Sequence, residues 1–133
     1  MARIIMAIGL VLVAIYAIPF AVYGAANVIG GLQPPSRVSP ASFFLGVLVT
    51  KLGTAITFVA IFAASRRMWG SQWPLYAALW LAMFVLSEIG EVVSGRTTKA
   101  EALLGVVSEA IYTPLSAVIT RWSLRASSRV GSQ

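Results

Sequence analysis

An uncharged apolar run near the amino terminus limits the fold more than any other feature of this sequence. Residues 4–32, IIMAIGLVLVAIYAIPFAVYGAANVIGGL, contain no acidic or basic side chain. Because about 20 apolar helical residues cross the hydrocarbon core of a bilayer, this run predicts a transmembrane helix. Arg3 before an apolar run is also typical of a cleaved signal peptide, but the run is longer than the apolar region of such a peptide. We therefore expect an uncleaved first span.

The composition of the whole chain agrees with a membrane protein. Of its 133 residues, 59% are hydrophobic and 11% are charged, whereas about 25% of the residues in soluble domains are charged. The charges lie at the ends of apolar segments and do not form the polar faces that a soluble bundle needs. This composition excludes a soluble fold.

Three more apolar segments follow, separated by residues that end or begin helices. Ser39 before Pro40 is a helix start signal, Gly95 is a helix stop signal, and Thr98 with Glu101 forms a capping-box pattern. We predict spans at residues 4–32, 40–64, 74–94 and 99–122, with a polar, basic tail at residues 123–133.

The basic residues outside the spans are distributed unequally between the two sides. Connections of roughly 4 to 10 residues favour antiparallel neighbours, so we expect one domain, an antiparallel up-down bundle of four transmembrane helices. The positive-inside rule then places both termini on the cytoplasmic side. We expect the protein to lie in the cell (inner) membrane. Six basic residues fall on the cytoplasmic side (Arg3, Arg66, Arg67, Arg121, Arg125 and Arg129) and three on the other (Arg37, Arg96 and Lys99).

Several kinds of chemistry are excluded or disfavoured by the sequence. The chain contains neither cysteine nor histidine, so thiol catalysis, disulfides and histidine metal sites are absent. Phosphate loops, dinucleotide fingerprints and hydrolase motifs are missing. No basic segment is interleaved with exposed aromatic residues, which disfavours nucleic-acid binding. We predict no cofactor, no metal ligand and no catalytic residue, although a carboxylate-only Mg²⁺ site is left open.

Charged side chains within the predicted spans are the candidate functional residues. At about 1.5 Å rise per residue, Lys51 and Glu109 lie at similar depths below the outer ends of their helices, and Glu88 and Glu91 lie closer to the outer surface. A charge facing lipid costs from about 2.5 to more than 10 kcal/mol, so we expect these residues to face inward. The predicted ligand-binding residues are Lys51, Glu88, Glu91, Glu109 and Tyr112.

The predicted site holds more negative than positive groups. One lysine against three carboxylates leaves a formal charge of −2, so protons must bind to carboxylates or a cation must enter. The alternative is structural, because polar residues also hold membrane helices together. Glu101 is expected to act only as a cap, and Gly46, Gly53, Gly90 and Gly105 are expected to allow close helix approach, although a ligand role for these glycines is not excluded.

Two prolines inside the predicted spans free main-chain carbonyl groups. Pro114 cannot donate to the carbonyl of Ala110, which follows Glu109, and Pro19 likewise frees the carbonyl of Ile15. Free carbonyls beside a carboxylate are good acceptors for a cation or an ammonium group. Helix kinks without a ligand role are the alternative explanation.

Two functions compete at this point, and an enzyme acting on a lipid-soluble substrate is a third, less favoured one. The first is a small transporter or ligand-binding protein for a cation, protonated amine or proton, and we expect such a protein to be oligomeric. The second is a non-catalytic accessory or assembly subunit of a larger membrane complex. The chain resembles the small multidrug transporters in size and helix number, but their glutamate lies in the first helix, which has no acid here.

Overall fold

The computed structural model describes residues 1–30 and 39–125, and every regular element in those ranges is an α-helix. Four of the helices are long and apolar enough to cross a membrane, judged by length and composition. The chain is therefore an all-helical membrane protein. The helices are α1 (Ala2–Gly30), α2 (Pro40–Ala64), the one-turn α3 (Arg66–Trp69), α4 (Trp73–Val93) and α5 (Lys99–Arg125).

The predicted spans match the four long helices to within a few residues. Residues 31 and 32 of the first predicted span lie outside the described residues. The last helix is longer than predicted, since it continues through residues 123–125 of the expected tail. Ser123 and Leu124 are buried, and this packing keeps the last turn helical. The short helix α3 was not predicted.

The predicted helix starts are confirmed by their hydrogen bonds. The main-chain N–H of Ser42 donates to the Ser39 hydroxyl at 3.2 Å, and Pro40 occupies the first turn of α2. At the start of α5, the N–H of Thr98 donates to Glu101 Oε2 at 2.8 Å and the N–H of Glu101 donates to Thr98 Oγ1 at 3.2 Å. This reciprocal pair is a capping box, and it explains why Glu101 is needed there.

The end of α4 depends on the conformation that Gly95 adopts. Its φ of 72° lies in the left-handed region that side chains with a Cβ atom rarely adopt. The N–H of Gly95 donates to the carbonyl of Val92 at 3.1 Å, and that of Arg96 donates to the carbonyl of Glu91 at 3.0 Å. These are the two hydrogen bonds of a Schellman motif, so Gly95 ends the helix as predicted.

Helix α5 is the centre of the packing, because it lies against both α1 and α4. The α1 side of this contact presents mostly small or branched apolar side chains, and small residues let membrane helices approach closely. The α5 side is polar and is buried along most of its length. The buried residues of α1 are Ala7, Val11, Ala14 and Ile15, and the buried polar residues of α5 are Ser108, Glu109, Thr113, Ser116, Thr120 and Ser123.

Helix α2 packs against α1 and reaches α4 only through aromatic side chains. In the described residues the Cα atoms of α2 and α4 stay more than 8 Å apart. Phe58 of α2 fills the space, with ring centroids 4.8 Å from Tyr76 and 5.1 Å from Trp80. The Tyr76 hydroxyl also donates to the carbonyl of Phe58. Tyr76, Trp80 and Phe84 follow one face of α4 at helical spacing, which produces this aromatic cluster.

Candidate functional site

Glu109 is a carboxylate buried in the middle of α5. Only 7% of the residue is exposed, and its Oε2 atom has no hydrogen-bond partner among the described residues. Pro114 lies five residues further along the same helix. A buried, unpartnered carboxylate oxygen costs several kcal/mol unless it binds a proton or a cation. Glu109 is therefore the residue of this protein that most requires a ligand.

Among the described residues, Lys51 of α2 is the cation that interacts with Glu109. Its Nζ lies 5.5 Å from the centre of the Tyr112 ring, a cation–π geometry. The lysine also interacts electrostatically with Glu109 and Glu88. Within the described ranges, however, no carboxylate lies at ion-pair distance from Nζ. Lys51 therefore contacts the face of Tyr112 and, among the described residues, no carboxylate directly.

Glu88 of α4 reaches α5 at Gly105. A Cβ atom built on Gly105 would lie 2.7 Å from Glu88 Oε1, so the missing side chain leaves room for the carboxylate. Gly105 and Glu109 are one helical turn apart. At Gly105 the absence of a side chain thus lets an acidic side chain of α4 approach α5 closely.

A cavity of about 270 Å³ opens beside Glu88, between α4 and α5. Its walls are mainly apolar, and Glu88 contributes the only carboxylate among the described residues that line it. Lys99 stands at the start of α5. The apolar lining is formed by Ile89, Val92, Val93, Ala102, Leu103 and Val106.

Two tyrosines complete the surroundings of the carboxylates. Tyr112 is 2% exposed, and its hydroxyl has no hydrogen-bond partner among the residues that the structure describes. Tyr23 of α1 donates a hydrogen bond to the main-chain carbonyl of Glu101 at 3.0 Å. It also lies near enough to Glu88 and Glu109 to interact with them electrostatically.

Glu91 lies apart from this group. Its carboxylate pairs with Arg96 at 3.5 Å, and 41% of its side chain is exposed. Such an exposed ion pair contributes little to stability. Of the predicted ligand-binding residues, the structure brings Lys51, Glu88, Glu109 and Tyr112 together and places Glu91 at the end of α4. The reason is rotational, since Glu88 turns towards α5 while Glu91 turns towards the loop that contains Arg96.

Gly105 and Tyr23 are not among the predicted ligand-binding residues. The sequence does carry a signal for each: Gly105 lies one turn before Glu109, and Tyr23 lies at helical spacing from Tyr16 and Asn27. In the part of the chain that the structure describes, no three Asp, Glu, His or Cys side chains come close enough to hold a metal ion.

No protein-family model, curated protein or solved structure matches this chain. The geometry of the site is therefore the basis for assigning a function.

Proposed function

We propose that this protein is a small membrane transporter or ligand-binding protein for a protonated amine or a similar organic cation. Glu109 and Glu88 would bind the positive charge, Tyr112 would present its ring, and Lys51 would set the net charge of the site. The observation that carries the proposal is the buried Oε2 of Glu109, which has no partner among the described residues.

The ligand class follows from charge and from the shape of the cavity. Two carboxylates and one lysine leave one negative charge to neutralise in a low-dielectric setting, which favours a monovalent cation or a proton. The cavity beside Glu88 is apolar apart from its ionisable residues and suits the hydrocarbon part of an amine better than a hydrated metal ion. Aromatic rings add a cation–π attraction for ammonium groups.

The mechanism that we propose is exchange between a proton and the organic cation. In the unliganded protein a proton on Glu109 or Glu88 would balance the charge. When the amine enters from the cavity at Glu88, it displaces that proton and its charge takes the proton's place. The positive charge of Lys51 would balance one of the two carboxylates, so that only one further cation or proton is needed.

We further infer that the four spans alternate in direction and that both termini face the cytoplasm, in the cell membrane. Tyr23 near the end of α1 bonds to Glu101 at the start of α5, which supports opposite directions for these two helices. Arg66 after α2 bonds to the carbonyl of Leu124 at the end of α5, which supports a shared direction for α2 and α5, as expected of the second and fourth spans. The excess of basic residues at that end supports the cytoplasmic assignment.

The test is cation binding to purified protein with benzyltrimethylammonium, which carries a permanent charge, measured by isothermal titration calorimetry. The wild type should bind it, and the affinity should fall as the pH is lowered because protons compete for the same carboxylates. Glu109→Gln and Glu88→Gln should weaken binding at least about tenfold, the loss expected for one charge-assisted contact.

Glu91→Gln is the matched control, since it removes the same charge one helical turn from Glu88 and should leave binding unchanged. Thermal unfolding of each variant checks that it folds. Equal loss in all three variants, or wild-type binding by well-folded Glu109→Gln, would contradict the proposal. Proton release measured in weakly buffered solution distinguishes exchange from binding alone.

The second candidate is an assembly subunit, which an exposed face of α2 favours. Small residues recur on this face at spacings of four and three. A Cβ atom built on Gly46 or Gly53 meets nothing within 4 Å. Such a face suits another transmembrane helix, from a larger complex or from a second copy of the chain. Its residues are Gly46, Thr50, Gly53 and Thr57, all exposed. Loss of a co-purifying partner in Gly53→Leu, with unchanged cation binding, would favour this function.

A further inference from the structure

A second cavity lies at the other end of the helices from Glu88, where α2, α3 and the end of α5 meet. Its volume is about 190 Å³. Four arginines line it, together with Phe62, Gly70, Ser71 and Leu124. We name it the arginine cavity, after Arg66, Arg67, Arg121 and Arg125.

Three of these arginines are held in place by the fold. Arg66 Nη1 donates to the carbonyl of Leu124 at 3.3 Å, and Arg125 Nη2 donates to the carbonyl of Gly70 at 3.5 Å. The guanidinium of Arg121 lies 6.0 Å from the centre of the Trp73 ring, and its buried Nε has no hydrogen-bond partner among the described residues. Within the described residues, Arg66 and Arg121 are thus positioned by neutral partners.

No acidic side chain neutralises this cluster within the described residues. All four acids of the sequence lie between residues 88 and 109, in the last turns of α4 and the first half of α5. None of them lines the arginine cavity. Converging like charges repel one another, and the repulsion is relieved when an anion binds between them.

Arginine at this density favours one kind of anion. The planar guanidinium donates two parallel hydrogen bonds to a phosphate group, a geometry that lysine cannot supply. Trp69 and Trp73 adjoin the cavity, and tryptophan is enriched where a membrane meets water. These tryptophans favour a position for the cavity at the level of the lipid phosphates.

We propose that the arginine cavity binds a phosphate group, supplied by an anionic phospholipid or by a soluble phosphate compound. This site is separate from the carboxylate site and does not depend on the function proposed for it. The guanidinium groups of Arg121 and Arg67 supply the contacts to the phosphate, and Arg66 and Arg125 complete the walls of the cavity.

The experiment is native mass spectrometry of the detergent-purified protein after incubation with equal amounts of phosphatidylglycerol and phosphatidylcholine. The wild type should retain phosphatidylglycerol preferentially. The double variant Arg67→Gln/Arg121→Gln should lose the preference by about tenfold or more, the effect expected for charge-assisted hydrogen bonds. These two arginines were chosen because neither donates a hydrogen bond within the described protein.

The charge-matched control is Arg96→Gln/Lys99→Gln, which removes two positive charges at the other end of the molecule. It should keep the lipid preference of the wild type. Arg121→Lys should bind more weakly than the wild type, because charge alone does not replace the guanidinium. Equal loss in the two double variants, or no preference in the wild type together with no response to phosphate, overturns the proposal.

A second measurement distinguishes the two sources of phosphate. Thermal unfolding in detergent without added lipid is followed with inorganic phosphate or pyrophosphate and with chloride at equal ionic strength. Stabilisation by phosphate that is lost in Arg67→Gln/Arg121→Gln assigns the site to a soluble compound. Lipid retention without that stabilisation assigns it to a phospholipid headgroup.

Discussion

The contact between Glu88 and Gly105 shows how one missing side chain can position a charge. Glycine weakens a helix by up to about 1 kcal/mol relative to alanine. At position 105 the missing side chain leaves the space on α5 that the Glu88 carboxylate occupies, and this contact offsets the cost. The carboxylate is the flexible end of its side chain, so it can move if a methyl group takes its place.

Gly105→Ala should therefore change binding more than stability. The new methyl group displaces Glu88 from α5 and should weaken benzyltrimethylammonium binding about tenfold, or ~1.4 kcal/mol. Thermal unfolding should show little change, because better helix propensity compensates for the displaced carboxylate. Gly90→Ala is the control, since its Cβ meets nothing within 4 Å. Similar affinities for both variants would show that the position of Glu88 does not matter.

The sequence predicted which ionisable residues require a partner, but it did not predict their contacts. The depth of each residue along its helix predicted that Lys51 and Glu109 lie at one level. In the structure they are close enough to interact electrostatically. The rotation of each helix about its axis decides the rest. A rotation that turns Glu88 towards α5 leaves Glu91 at the surface with Arg96, and spacing along a single helix cannot reveal the direction of its neighbours.

Among the helices, α5 is unusual because its buried face is polar. Two of its buried threonine hydroxyls differ in whether they have a hydrogen-bond partner. Thr120 is fully buried and donates to the carbonyl of Ser116 at 2.8 Å, within its own helix. Thr113 is equally buried, and its hydroxyl has no partner among the described residues. Valine has nearly the same shape as threonine, so the two positions offer a direct comparison.

Thr120→Val should destabilise the protein by about 1 kcal/mol, the net value of a typical hydrogen bond. Thr113→Val should be neutral or stabilising, because it removes a buried hydroxyl that the described protein does not satisfy. The free energy of unfolding in mixed detergent–SDS micelles measures both changes. A loss for Thr113→Val as large as that for Thr120→Val would indicate that Thr113 bonds to a buried water.

The lengths of the helices could be predicted from the sequence, but their neighbours could not. Apolar runs, caps and Gly95 mark the ends of the spans because the bilayer and the backbone impose them. Lipid tails are as apolar as leucine, so hydrophobicity does not mark the face of a membrane helix that touches protein. The aromatic cluster around Phe58 is a product of that packing. The contact of Phe58 with the aromatic residues of α4 had no clear signal in the sequence.

Across the whole molecule, basic side chains in loops and at helix ends divide into two groups. Arginines near Ser71 line the arginine cavity, whereas Arg96 and Lys99 flank the connection between α4 and α5. The proposed orientation assigns the first group to the cytoplasm and the second to the opposite side. The absence of cysteine from the sequence makes this assignment simple to test.

Single cysteines at Ser71 and Ser94 form a matched pair for topology. Both serines are exposed, and each donates only to a carbonyl at the end of its own helix. In right-side-out membrane vesicles, a membrane-impermeant maleimide should label Ser94→Cys at once and Ser71→Cys only after permeabilisation. The reverse pattern would place the termini outside, and labelling of both before permeabilisation would contradict a four-span topology.

The sparse backbone contacts of α2 have a consequence for the lysine that it carries. The glutamates near Lys51 are attached to α4 and α5, which pack directly against each other, whereas α2 has close backbone contact mainly with α1. An outward tilt of α2 at the level of Lys51 would separate the positive charge from the negative ones and leave the α1–α5 interface intact. Among the described long helices α2 has the sparsest backbone contacts, and a displacement at the level of Lys51 would make the interior more attractive to a cation.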